Sequence, residues 1–432
     1  MTPAPKPVSP WRWIPTLYVA QGLPYVAVMT LAVVMYKNLG LSNTDIALLT
    51  GWLYLPWVIK PLWSPLVELL AAPRRWIVAL QFVAGAAFGG IALVLPGPEP
   101  VRWSLLLLWL LAFASATHDI AADGFYLQAL PQRTRTAFVG VRSTCYRLAM
   151  VGGQGGLVML AGWLIARGGG AAQAWAGVFG LLALAFVLVA GFHAWALPRP
   201  AAAAAPTTVA PSLPALLRES VAVFAAFFRR PGIGRVLAFL LLYRFAESQL
   251  LKLVVPFMLD PPSAGGLGLD NQAVGLAYGT LGVVALTAGG LLGGWAISRR
   301  GLDRLIWPLA LCLNLPNALY LGLALLPAPP GLAWVSAAIV VEQFGYGFGF
   351  AAYMVFMMMV AEGEHATAHY ALCTGFMALG MMLPGMAAGW LQSLLGYPGF
   401  FGWVMLATLP SFAVVALVRI RPGYGRQDEA GT

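Results

Sequence analysis

Charge is what this sequence has least of. Only 9% of its 432 residues are Asp, Glu, Lys or Arg, against about 25% in soluble domains, and that scarcity excludes a water-soluble globule. Cysteine is rarer still. Cys145, Cys312 and Cys373 all lie in apolar segments, so no disulfide framework is expected. The strand-period alternation of a membrane barrel is missing. No phosphate-cradling glycine loop or nucleophile elbow occurs, which argues against ATP-driven work within the chain. The run from Glu364 through His365 to His369 is not H-E-x-x-H, because the Glu precedes both histidines; no metal or other cofactor is expected. The N-terminus shows no short apolar region followed by a small-residue cleavage site, so the first hydrophobic segment is expected to stay in the mature protein.

What the chain has in abundance is apolar length: 60% of it is hydrophobic and its mean hydropathy is +0.80. Runs near twenty residues recur, the length that crosses a hydrocarbon core of about 30 Å as helix. Twelve spans are expected, near 14–36, 46–67, 76–95, 103–126, 138–165, 173–196, 235–258, 272–298, 304–326, 331–360, 367–391 and 399–419. A Pro/Ala/Thr-rich linker ending in a short helix with Arg218, Arg229 and Arg230 separates spans six and seven. The expected organisation is a six-helix half over 1–196, a cytoplasmic linker over 197–234, a second six-helix half over 235–419 and a cytoplasmic tail over 420–432.

Basic residues fix the expected orientation. With the N-terminus inside, seventeen Lys and Arg fall on the cytoplasmic side, among them Arg74, Arg75, Arg133, Arg135, Arg299, Arg300 and Arg304; only Lys37, Arg102 and Arg167 fall outside. The net charge of +10 is therefore a topology signal, not a nucleic-acid surface. Both termini are expected in the cytoplasm and the surrounding lipid as a partner. Six plus six spans on this plan resemble the major facilitator superfamily, an all-α integral membrane fold of two six-helix halves around a central cavity. The loops SPLVELLAAPRRW and GGWAISRRGLDRLIW occupy equivalent places in the two halves. The second resembles that superfamily's loop signature. Glu68, Arg74, Arg75, Arg299, Arg300 and Arg304 are expected to form an inner gate, with basic residues capping helix C-termini.

The stretch from Thr117 to Gly156 concentrates charge at membrane depth. Carboxylates and guanidiniums facing lipid cost roughly 2.5–3.5 kcal/mol each on insertion scales, so these should face a wet cavity or each other. Asp119 and Asp123, one turn apart, share a helix face and suit a cation, proton or gate site, or a structural pair with Arg142 or Arg147. Arg142 and Arg147 point about 140° apart; Arg147 is the expected anion binder, beside Tyr146 and Gln154, and Arg142 is expected at the interface. In span seven Arg244 and Glu247 either serve the site or neutralise each other. Glu342 opens a glycine-rich stretch without an adjacent base and is a proton-site and substrate-site candidate. Lys60, between Pro56 and Pro61, either snorkels or meets substrate. Gln21, on a helix bent by Pro24, can hydrogen-bond a sugar or amide.

Three stretches resemble the AmpG-type permeases, a muropeptide branch of the major facilitator superfamily related to acetyl-CoA transporters. They are QGLPYVAV with the WLYLPWVIKPLWSPLVE that follows, THDIAADGFYLQAL with its later TCYRLAM, and EQFGYGFGF with the later ATAHYALCTGFMALGMMLPGMAAGW. The resemblance implies proton-driven import of N-acetylglucosaminyl-anhydro-N-acetylmuramyl peptides through a bacterial inner membrane, at positions matching Gly22, Lys60, Asp119, Asp123, Arg147 and Glu342. His118 and Glu68 depart from the family's Gln and Asp, and Gly124-Phe125-Tyr126 stands where it often reads Ala-Tyr-Arg. A sugar or oligosaccharide without peptide therefore fits as well. The leading expectation is a proton-coupled secondary transporter and not an enzyme. A solute sensor on the same fold, or a membrane-embedded transferase or flippase for lipid-linked sugars, remain as alternatives.

Overall fold

The computed structural model describes residues 9–70, 72–130, 132–199, 213–363 and 365–426. All regular structure among them is helical. The first half comprises α1 (Pro10–Asn38), α2 (43–70), α3 (Pro73–Val94), α4 (Pro100–Ala129), α5 (132–166) and α6 (Ala171–Ala196). A linker helix, Leu213–Phe228, precedes the second half. That half comprises α7 (233–259), α8 (Asn271–Arg300), α9 (Leu302–Leu325), α10 (Leu332–Ala361), α11 (366–395) and α12 (397–417).

Ten uninterrupted helices among the described residues are long and apolar enough to cross a membrane, and local backbone breaks account for the difference from twelve. Span seven is cut into Ile233–Leu242 and Phe245–Leu259 by the turn at Tyr243 and Arg244. Ala366–Leu406 holds two spans joined at Gly396, whose φ of 65° and ψ of 175° end α11 and start α12. Only glycine takes that backbone without a Cβ penalty.

Local chemistry sets the helix starts. Pro73 and Pro100 occupy first-turn positions where a missing N–H costs nothing. Ser42 and Asp270 cap α2 and α8 by accepting the backbone N–H of Asp45 and Ala273. In α1, Pro24 removes a donor, and the chain continues through a π-helical turn, Ala27–Leu31.

The cores show how the halves meet. One buried apolar cluster joins both halves, from Leu31, Tyr36, Phe88 and Trp175 to Leu253, Phe257, Tyr320 and Phe401. The other two stay within a half: Trp13, Leu17, Ile77 and Phe125 in the first, Phe239, Ile306, Tyr353 and Val414 in the second. The halves are thus packed together at the end carrying Lys37 and have separate cores at the end carrying the linker helix. Between the packed parts α5 and α8 touch backbone to backbone. A Cβ on Gly279 would lie 2.1 Å from the Gln154 carbonyl oxygen, so only glycine permits this crossing. Large apolar side chains such as Leu93, Trp195 and Trp334 face outward, as lipid contact requires.

The linker helix docks through the histidine that sequence reading weighed as a metal ligand. His369 Nδ1 accepts from Arg230 Nη2 at 2.7 Å and its Nε2 donates to the Val223 carbonyl at 3.2 Å. Arginine only donates and a carbonyl only accepts, so this tautomer is fixed. Glu364 lies outside the described residues, and among those described no metal-ligand cluster forms.

A candidate binding cavity between the halves

Where the two cores diverge, a cavity of 580 Å³ opens between α1, α4 and α5 on one side and α8 and α10 on the other. Its wall includes Gln21, Asp119, Asp123, Arg142, Tyr146 and Arg147, with Tyr346 and Phe350 opposite. The volume is within the few-hundred to thousand Å³ of sites that enclose a small ligand. A smaller cavity of 130 Å³ lies beyond it, walled by Gln154, Tyr25, Tyr54, Ser248, Lys252 and Gln343. Met150, Leu286 and Tyr346 line both.

Each carboxylate of α4 is neutralised within its own half. Asp119 accepts from Gln21 Nε2 at 2.5 Å and has Lys60 Nζ at 3.6 Å. Asp123 is held by Arg142 Nη2 at 2.5 Å. Exposure falls with depth, from 48% for the Asp123 side chain to 21% for Asp119, so the cavity opens toward the linker end. The cation beside Asp119 is therefore Lys60, not Arg147, and Lys60 is turned to Asp119 instead of standing among the lining residues.

Arg142 and Arg147 both line the cavity, against the expectation that only one would. The cavity is wide enough for residues 140° apart on α5 to reach opposite walls. Arg142 turns to α4 and lies 4.6 Å from the Tyr18 ring centroid. Arg147 crosses to α8, where Nη1 donates to Thr287 Oγ1 at 3.2 Å. Thr287 gives its own hydroxyl hydrogen to the Val283 carbonyl. Among the described residues Arg147 forms no ion pair, and most of its five donors remain for a ligand.

The charged groups of α7 and α10 sit elsewhere than expected. Arg244 forms no ion pair with Glu247; its guanidinium contacts the Tyr346 hydroxyl and lies 4.9 Å from both the Tyr346 and Phe350 ring centroids. It stands behind the cavity wall. Glu247 is fully buried with no hydrogen-bond partner on either carboxylate oxygen. Glu342 accepts from Tyr320 Oη and Gln343 Nε2, each at 3.0 Å, inside the second half and not among the lining residues of either cavity.

Among the described residues the expected inner gate is not assembled in this conformation. Arg299, Arg300 and Arg304 are exposed at the α8–α9 turn. Arg75 is exposed, Arg74 donates to the Leu197 and Ala194 carbonyls of its own half, and the side chains of Glu68, Arg133 and Arg135 lie outside the described residues. The physical reason is the separation of the two cores at that end.

The charged contact that crosses between the halves, with the amide and hydroxyl groups around it, lies at the opposite end, and sequence reading missed it. Lys37, closing α1, meets Asp260, closing α7, at 2.5 Å. Lys37 also donates to Asn43 Oδ1, and Asp260 Oδ2 accepts from Tyr397 Oη at 2.6 Å and Asn43 Nδ2 at 3.1 Å. Asn38 and Asn271 bond across the same seam, with Trp175 Nε1 on Asn38. The available signal was the opposite charge at equivalent positions, the ends of spans one and seven. Also missed was a buried chain tying four helices of the first half: Thr16 to His193, His193 to Gln81, and Gln81 to His118 beside Asp119.

Two six-helix halves around a charged central cavity, closed at one end and open at the other, make this a multi-pass secondary transporter of the major facilitator fold. Solved structures share that fold: the nucleoside transporter NupG, at a TM-score of 0.66 and 16% identity over 93% of this chain and 98% of that one, and an inward-facing, unoccupied bacterial homologue of the human lysosomal transporter Spinster, at 0.66 and 16% over 98% and 100%. The BT1 family model matches residues 19–255, and the chain belongs to that family. Among curated relatives it is 28% identical over 398 residues to the anhydromuropeptide permease of Escherichia coli (strain K12), covering 91% of this chain and 76% of the relative. It is 22% identical over 410 residues to putative transporter AmpG 4 of Rickettsia conorii, covering 92% and 94%. The resemblance to AmpG-type permeases read from the motifs thus extends along the chain.

Proposed function

We propose that this protein imports anhydromuropeptides, or closely related anionic amino-sugar saccharides, across a bacterial inner membrane by proton-driven alternating access. The observation that carries the reading is Arg147: a guanidinium without a carboxylate partner among the described residues, held in a cavity between two halves that are packed at one end only. A planar fork suits a substrate carboxylate, and the rings of Tyr18, Tyr146, Tyr346 and Phe350 offer apolar faces to sugar rings. The similarity to an anhydromuropeptide permease supports this substrate class. The charge tally supports an orientation with the linker end, and so the cavity mouth, in the cytoplasm. Asp119, at the cavity wall, is the coupling acid in this reading, with Glu247 next.

Uptake of N-acetylglucosaminyl-anhydro-N-acetylmuramyl tripeptide into proteoliposomes under an imposed proton gradient tests it. Gradient-dependent accumulation that protonophore abolishes is expected. Binding without flux indicates a sensor, and a chemically altered product without gradient dependence indicates a transferase.

A further inference from the structure

Among the described residues, Lys252 meets no opposite charge. It lies in α7 at 6% exposure, and its Nζ donates to Thr50 Oγ1 at 3.0 Å and sits 5.0 Å from the Tyr54 ring centroid. Thr50 spends its own hydroxyl hydrogen on the Ile46 carbonyl at 2.7 Å, so it can serve Lys252 only as a neutral acceptor. No ion pair forms at Lys252 among the described residues, and two of its three N–H donors remain. A buried charge left like this is unfavourable unless something pairs with it. The 130 Å³ cavity it lines holds polar company in Gln154 and Gln343 but no carboxylate among its lining residues.

The adjoining cavity repeats the pattern. Its two aspartates are already matched, Asp119 by Lys60 and Asp123 by Arg142, which leaves Arg147 as its unmatched cation. Two unmatched cations therefore face two cavities that share Met150, Leu286 and Tyr346 as walls. We propose that Lys252 forms a second anion subsite, so that the substrate is an elongated polyanion whose peptide appendage, attached through the muramyl lactyl carboxyl as an amide, supplies one carboxylate to Arg147 and a second to Lys252, whereas the peptide-free ligand offers only its lactyl carboxylate, to Arg147. This rests on the function proposed above and adds that the peptide is read, not merely accommodated. The deep cavity is the smaller of the two, at 130 Å³, and suits a carboxylate-bearing tip.

The test compares two ligands on purified full-length protein by calorimetry: peptide-free N-acetylglucosaminyl-anhydro-N-acetylmuramate, with one carboxylate, and its tripeptide-bearing counterpart. Wild type is expected to bind both, the second more tightly. Lys252→Met is expected to weaken the tripeptide ligand by about tenfold or more, the range of a lost charge-assisted hydrogen bond, and to leave the peptide-free ligand within about twofold. That retained binding also shows that the variant is folded; should it fail to fold, Lys252→Gln and Lys252→Arg replace it, with Arg expected to restore part of the preference. Equal loss for both ligands, or for neither, overturns the proposal. So does Thr50→Val reproducing the selective loss with Lys252 intact, since Lys252 is then a strut between α7 and α2. If wild type binds neither ligand, the proposed function itself falls, and this subsite with it.

Discussion

Removing the ammonium of Lys37 should open the sealed end. In the structure Lys37 and Asp260 lie 2.5 Å apart with side-chain exposures of 14% and 12%. In Lys37→Met, Asp260 keeps the Tyr397 hydroxyl and the Asn43 amide but loses its cation. Breaking a buried pair by removing one partner costs about 3–5 kcal/mol; the residual solvent contact lowers that to about 2–3 kcal/mol. When the seal is parted, both groups are in water and the substitution costs little. The equilibrium between the two states therefore moves toward the parted seal by about 30- to 150-fold. Spin labels on the 39–42 and 261–265 turns, in a background without the three native cysteines, report this as a longer distance population. The double variant Lys37→Met/Asp260→Asn leaves no unpaired charge and should recover most of the closed population. A distance distribution unchanged from wild type, or a double variant as open as the single one, would refute the reasoning.

Three further outcomes follow from the geometry. Arg147→Ala should abolish substrate binding while leaving membrane insertion intact, and Arg147→Lys should recover little, since an ammonium cannot reproduce a bidentate fork; calorimetry on both variants checks this. Asp119→Asn should lose gradient-driven accumulation in proteoliposomes yet keep substrate counterflow, and retained uphill uptake would move coupling to Glu247. At the linker end, hydrogen bonds from Arg421 and Tyr424 hold the Glu362 carboxyl below its ordinary range, so that contact is present at neutral pH and is lost as pH falls through the lowered value. Glu362→Gln should therefore raise hydrogen exchange in segment 418–426 at pH 7, whereas wild type should show the same change only in acid; because the group is exposed, the effect on global stability should be small.

The parts of this molecule legible in its sequence are those written in local composition. Twelve apolar runs and the sidedness of arginine needed no long-range knowledge. The Asp123–Arg142 pair was within reach because its members lie 19 residues apart on consecutive helices. What escaped depended on which distant residues meet. Asp260 is 223 positions from Lys37 in sequence, and His193 is 112 from Gln81; no periodicity links them. The inner gate is not visible in this structure for a different reason. Its basic residues are placed in equivalent loops, but the conformation described here parts the halves at that end, and a sequence carries both conformations at once.

The distribution of charge also limits how a substrate and a proton can move the halves. A ligand shifts an equilibrium only through contacts that differ between its two states. Asp119–Lys60 and Asp123–Arg142 lie wholly within the first half, and Glu342 with Tyr320 lies wholly within the second; rigid-body rocking leaves them untouched. Among the described residues the polar side-chain contacts that cross between the halves fall into four groups: Lys37 and Asn43 with Asp260, Gln392 and Tyr397; Asn38 with Asn271; Arg147 with Thr287; and Lys252 with Thr50. The first two seal the closed end. The last two join a cation to a neutral hydroxyl, contacts that a substrate carboxylate can replace with stronger, charge-assisted ones. Binding at Arg147 and Lys252 therefore acts directly on the seam between the halves. If Asp119 is the coupling acid proposed above, its proton acts on that seam only through what it shares with Arg147, the same 580 Å³ cavity and the substrate within it, which would tie proton movement to an occupied site.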